Sequence, residues 1–173
     1  MAWSPVTKAY FIAFSAAVVV IGVAEVLPPL GWLPLLDGAN LLFHEAGHPI
    51  FGMFGETMEL YGGTIGQLVF PLVVTIEFWR RRATLSFAAG CLWFFENFFN
   101  IARYAADARA QVIPLVGGGD HDWWRIFSRW GVLEYDVMIG IIIAAIGVVG
   151  FIATWAWVGW RWYHGYRALD LPA

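Results

Sequence analysis

The chain is poor in charge and has almost no cysteine. Only 13% of its 173 residues are Asp, Glu, Lys or Arg, whereas 60% are hydrophobic. A soluble domain of this length has too few polar side chains to cover its surface, so the composition reads as an integral membrane protein. The single cysteine, Cys91, excludes an internal disulfide and a thiolate zinc cluster; it reads as a small buried residue of a helix. Net charge is −3 and no long basic run exists, which argues against a nucleic-acid partner. Internal repeats and low-complexity tracts are absent. The first apolar segment lacks a cleavage-site pattern and is read as a retained helix. What is abundant is apolar and aromatic: mean hydropathy is +0.66, and 11 Trp and 6 Tyr suit the interfacial belts of a membrane protein.

The expected fold is all-α: a polytopic helical membrane protein forming one membrane-embedded domain over residues 1–173. It has about five transmembrane helices and a short interfacial helix. The first span covers residues 9–27, about the length a bilayer core requires, and stops at Pro28-Pro29. A Pro- and Gly-rich loop covers 28–38. The second helix starts near Asp37, a candidate N-cap, and runs to about Phe54, with a kink expected at Pro49. Residues 55–66 are Gly-rich and read as a turn or an irregular or extended segment lining a cavity. A third helix over 64–79 ends at Arg80-Arg81-Arg82. A fourth covers 84 to about 109. A Gly-rich loop over 113–122 leads into a short interfacial helix at 123–133, with Asp122 as a candidate cap, and a fifth span covers about 137–160. Arg80 to Arg82 place that end of the third helix on the cytoplasmic side, so the N-terminus lies outside. Glu25 reads as interfacial or facing the bundle, and His164 in the tail as interfacial.

One five-residue run carries chemistry: His44-Glu45-Ala46-Gly47-His48, an HExxH sequence. On a helix, positions i and i+4 share a face, so both imidazoles reach one Zn²⁺ while Glu45 reaches a water beside it. The bland reading is two histidines and a glutamate satisfied by neighbours in a helical bundle. Ionisable groups at membrane depth are costly and usually functional, which favours the metal.

Catalytic zinc sites usually have three protein ligands and an open position. The first candidate for the third is His121, in the Gly-rich loop between Asp120 and Asp122; Asp122 itself follows as an oxygen ligand. Glu96 is the fallback, completing a His₂Glu set, and Asp107 lies farther along. A loop turn and a helix cap are the bland readings of His121 and Asp122. Glu96, Asn100, Arg103 and Asp107 form one polar stripe on the fourth helix; a Glu96–Arg103 or Arg103–Asp107 ion pair explains it without a metal. Asn40, Gln67 and Asn100 are candidates to orient the ligands or line a water path, with helix–helix hydrogen bonds as the alternative. With zinc in place, the metal acidifies water and polarises a carbonyl, and Glu45 acts as general base.

FHEAGHPIFG on a membrane helix, followed by YGGTIGQLVFP, resembles the site-2 protease family of intramembrane zinc metalloproteases. The resemblance covers about the second and third spans and extends toward the loop at 114–122. It implies hydrolysis of membrane-embedded or membrane-proximal peptides, with His44 and His48 as ligands and Glu45 as base. It also implies an aspartate ligand from a later loop, often in a Leu-Asp-Gly context; here the loop LVGGGDHDWW holds Asp120 and Asp122 without that triplet. The expected partners are a membrane protein or peptide substrate and the lipid bilayer, with selection by an adaptor or another subunit left open. The competing readings are a non-proteolytic membrane protein that binds metal for sensing, transport or structure, and a helical membrane protein in which HEAGH packs without metal.

Overall fold

A computed structural model describes residues 2–26, 32–116 and 119–169, with main chain only at residue 26 and at 166–169. The expected helix stop at Pro28-Pro29 and the last residues of the tail lie outside the described residues. The described chain is helical and has no strand: α1 (Lys8–Val26), α2 (Pro34–Gly52), α3 (Glu56–Arg80), α4 (Thr84–Ala106), α5 (Asp122–Trp130) and α6 (Asp136–Leu169), with a 3-10 turn at Leu133–Tyr135 before α6. By length and apolar composition α1, α3 and α6 are able to cross a membrane. The other two long helices, α2 and α4, are continuous but carry more polar residues.

The helices pack in a chain of neighbours: α2 against α3, α3 against α4, α4 against α6, with α1 on α6 and α4. Phe14 of α1, Ala88, Leu92 and Phe99 of α4, and Phe151 and Val158 of α6 form one apolar cluster. A second joins Leu60 of α3 and Ile101 and Ala105 of α4 to Trp123, Ile126 and Phe127 of α5. These α5 residues fall at i, i+3 and i+4, one apolar stripe that fixes how the short helix sits on α3 and α4. Burying Ile126 and Phe127 contributes about 1.5–3 kcal/mol each. Gly131, at φ 67°, closes α5 in the left-handed conformation that glycine adopts without strain.

Several expected boundaries move. Helix α2 begins at Pro34, because proline at the first helical position leaves no donor to lose, and Leu33 is its N-cap. Asp37 therefore sits inside the helix, where its carboxylate accepts the Leu33 N–H. The segment over 55–66 is neither a turn nor an extended cavity lining: α3 starts at Glu56 and runs through its glycines. The reason is a close helix–helix approach, which small residues permit. A Cβ on Gly47 would lie 2.1 Å from the Gly62 carbonyl oxygen, and one on Gly66 would lie 2.5 Å from that of Phe43. Helix α5 ends at Trp130, three residues short of the expected Leu133, and α6 extends past 160 to Leu169.

Candidate metal centre

Helix α2 carries His44 and His48 one turn apart, and α3 fixes how both rings are turned. The Nδ1 of His44 donates to Gln67 Oε1 (2.9 Å), and that of His48 to the carbonyl oxygen of Glu59 (2.8 Å). With these protons directed outward, each Nε2 presents a lone pair inward. Both point at one atom: Asp122 Oδ2 lies 3.0 Å from His44 Nε2 and 3.2 Å from His48 Nε2. Burial alone pushes the Asp122 carboxyl up, but with a proton on their Nε2 atoms the two imidazoles outweigh it and hold it down at about 2.

Three acceptors that converge this closely require a proton or a cation between them. The ligand atoms of His44, His48 and Asp122 all lie within 4.8 Å of one another. Ligands of a tetrahedral zinc at about 2.0–2.1 Å sit about 3.3 Å apart, close to the two distances seen here. The donor set, two imidazoles and a carboxylate, suits zinc, and each histidine already has the outer hydrogen bond that metal-binding histidines need. The surroundings leave room. A Cβ at Gly63 would fall 2.5 Å from His44 Nε2 and 2.7 Å from His48 Nε2, so only glycine lets α3 pass here.

The loop residues divide the roles differently from the sequence expectation, in which His121 came before Asp122. His121 has extended backbone and is the N-cap of α5; its Nδ1 accepts the Trp124 N–H at 3.3 Å, and its other nitrogen faces Asp107 at 3.6 Å. Its ring packs on Tyr104, with centroids 4.1 Å apart. Capping thus falls to His121, whereas Asp122, the first helical residue, is the one directed at the histidines. The α5 N-terminus carries partial positive charge, which favours the carboxylate there. Asp107 accepts the N–H groups of Val112 and Ile113, both at 3.0 Å, and holds the start of the loop.

Glu96 belongs to a different cluster. It is fully buried, and Asn40 Nδ2 donates to its Oε2 at 2.7 Å. Its neighbours are Glu25 and Asp37, which with it form a second group of three converging acids. Arg103 serves these acids. Its guanidinium pairs with Glu25 and, at 2.9 Å, with Asp37. The alternative pairings of Arg103 with Glu96 or Asp107 are replaced by these, and Glu25 faces the bundle. Asn40 holds Glu96 and accepts from Trp93 Nε1 at 2.9 Å, and neither bond involves His44. Gln67 does contact His44, and its amide donates to Asn100 Oδ1 at 3.4 Å; Asn100 in turn donates to Asp37 at 2.8 Å. His164 packs beside Trp160, far in sequence from the cluster.

A cavity of about 790 Å³ opens on the three candidate ligands. Glu45 lines it, as do Gln67, Asn100 and Tyr104 on the polar side and Trp32, Leu41 and Leu115 on the apolar side. A smaller, mainly polar cavity of about 320 Å³ reaches His48 and Asp122 from beside Glu56, Glu59 and Arg125. Three participants carried no sequence signal of their own. The Glu59 carbonyl is main chain, Gly63 read as a turn former, and Glu25 lies 78 residues from Arg103. Tyr104 did carry one, four residues after Asn100 on the polar stripe of α4. Comparisons with protein-family models, curated proteins and solved structures gave no match.

Proposed function

We propose that the protein is an intramembrane zinc metallopeptidase of site-2-protease-like type, hydrolysing peptide bonds of membrane-embedded or membrane-proximal substrates. The observation that carries this reading is the convergence of His44 Nε2, His48 Nε2 and Asp122 Oδ2 in a cavity that Glu45 also lines. In this reading α2 and α4 lie at membrane depth beside α1, α3 and α6, giving five spans, and α5 rests at the interface through Trp124 and Trp130. Most of their polar residues face one another, the cavity or Arg103, places where such groups are tolerated in a bilayer, while Asn97 donates to the Trp93 carbonyl oxygen within α4.

His44, His48 and Asp122 would hold the zinc, which would supply Lewis-acid polarisation of the carbonyl and a more acidic water. The chain supplies the rest. Glu45 takes a proton from the attacking water as its oxygen bonds to the carbonyl carbon. Glu45 then returns that proton to the departing amine nitrogen as the C–N bond breaks. Gln67 and the Glu59 carbonyl keep the imidazoles turned throughout.

The test is Glu45→Gln in purified protein. We expect wild-type zinc content and a loss of roughly 10²–10⁴-fold in cleavage of a quenched fluorescent transmembrane peptide, the usual contribution of a general base. Unchanged cleavage overturns the assignment of Glu45. A wild type that binds zinc and cleaves no peptide favours the non-proteolytic, metal-binding alternative.

A further inference from the structure

Tyr104 stands at the point where the candidate ligands, the loop and α5 meet, and its hydroxyl is only half used. The Asp122 N–H donates to its oxygen at 3.1 Å. A phenolic hydroxyl also has a proton to give, and no acceptor for that proton occurs among the described residues. The ring cannot swing freely. It packs on His121 at 4.1 Å between centroids and meets His44 edge-on at 5.7 Å. Tyr104 lines the same cavity as His44, Glu45, His48 and Asp122. A fixed O–H donor therefore sits beside three candidate metal ligands and a general base, with its own proton uncommitted.

Attack on a carbonyl places negative charge on its oxygen, and a preorganised donor in a water-poor site stabilises that charge strongly. We propose that the Tyr104 hydroxyl donates a hydrogen bond to the oxygen of the carbonyl under attack, as a second electrophile beside the metal. This rests on the peptidase reading above. The hydroxyl keeps its proton throughout, so the water proton still travels through Glu45 to the leaving nitrogen and the balance of the reaction is unchanged. Asp122 and the oxyanion donor are thereby linked, because one hydroxyl accepts from the Asp122 main chain and donates to the substrate.

The test is Tyr104→Phe, which removes one oxygen and keeps the ring packing on His121. Three quantities are measured on the full chain in detergent: the zinc dissociation constant, kcat and KM on the transmembrane peptide, and the affinity of a Leu-Leu phosphinic dipeptide, whose PO₂⁻ group mimics the tetrahedral species. We expect zinc affinity near that of wild type, KM little changed, and kcat lower by about 10²–10³-fold, the cost of one oxyanion donor. Phosphinate affinity should fall with kcat. Wild-type kcat in Tyr104→Phe overturns the proposal. So does a loss of kcat that tracks a loss of zinc, which makes Tyr104 a support for Asp122 alone. If the wild type cleaves nothing, the peptidase reading falls and Tyr104 with it; if the wild type cleaves, equal phosphinate binding by wild type and variant overturns Tyr104 alone.

Discussion

Among the described residues, two clusters of converging acidic or imidazole side chains lie inside this protein, and they differ in where the positive charge comes from. In one, Glu25, Asp37 and Glu96 meet, and Arg103 on α4 reaches in to pair with Glu25 and Asp37. In the other, His44, His48 and Asp122 meet, and no arginine or lysine pairs with them among the described residues. The first cluster brings its own cation. The second has its outer ring protons tied down by Gln67 and the Glu59 carbonyl, so its inward acceptors need a proton or, on the proposed reading, a metal cation from outside. The lesson is that converging carboxylates alone do not mark a metal site; the direction of the outer hydrogen bonds and the missing counter-charge do.

The largest expected effect is at Asp122. Asp122→Ala should lose zinc and cleavage together, weakening metal binding by more than the roughly 10–100-fold of an outer-shell loss. Calorimetric zinc titration checks it, and wild-type affinity in that variant breaks the distinction between the clusters. Next is Arg103→Met, which strips the other cluster of its cation. Leaving buried carboxylates unpaired should cost about 3–5 kcal/mol of stability, seen in denaturant unfolding in detergent. Adding Glu25→Gln should recover part of that loss; no loss in the single variant contradicts the pairing.

A smaller effect is expected at Gln67. Gln67→Ala frees the His44 ring and should weaken zinc by roughly 10–100-fold, while His48 keeps its main-chain acceptor. An unchanged zinc affinity would show that Gln67 does not orient His44. The smallest effect is at Glu96. Glu96→Gln should leave zinc stoichiometry unchanged by metal analysis, because Glu96 belongs to the arginine-served cluster; loss of zinc there would join two sites held here to be separate.

Much of this arrangement was legible in the sequence for local reasons. HEAGH puts two imidazoles on one helix face whatever surrounds it, and Gln67 and Asn100 stood out as amides in apolar helices. The choice between His121 and Asp122 was not legible, because adjacent residues differ here only in which one starts the helix. In the structure Tyr104 holds the Asp122 N–H and Ile126 and Phe127 seat α5, which turns Asp122 and not His121 toward the histidines. The glycines at 62, 63 and 66 signal a turn locally, yet close packing of α3 on α2 keeps them helical. The partners of Arg103, Glu25 and Asp37, lie in α1 and α2, and nothing local in these helices announces the pairing. Helices α2 and α4 look less membrane-like than α1, α3 and α6 because they carry the polar residues of both clusters, Asp37, Asn40, His44, Glu45 and His48 in α2 and Glu96, Asn97, Asn100 and Arg103 in α4.

The central claim is that His44, His48 and Asp122 hold one zinc ion. X-ray absorption at the zinc edge, on wild-type protein loaded with one equivalent of zinc, tests it most directly. The account predicts two imidazole nitrogens at about 2.0–2.1 Å with the remaining neighbours oxygen at about 2.0–2.2 Å. A shell of oxygen alone, with no imidazole scattering, would contradict it.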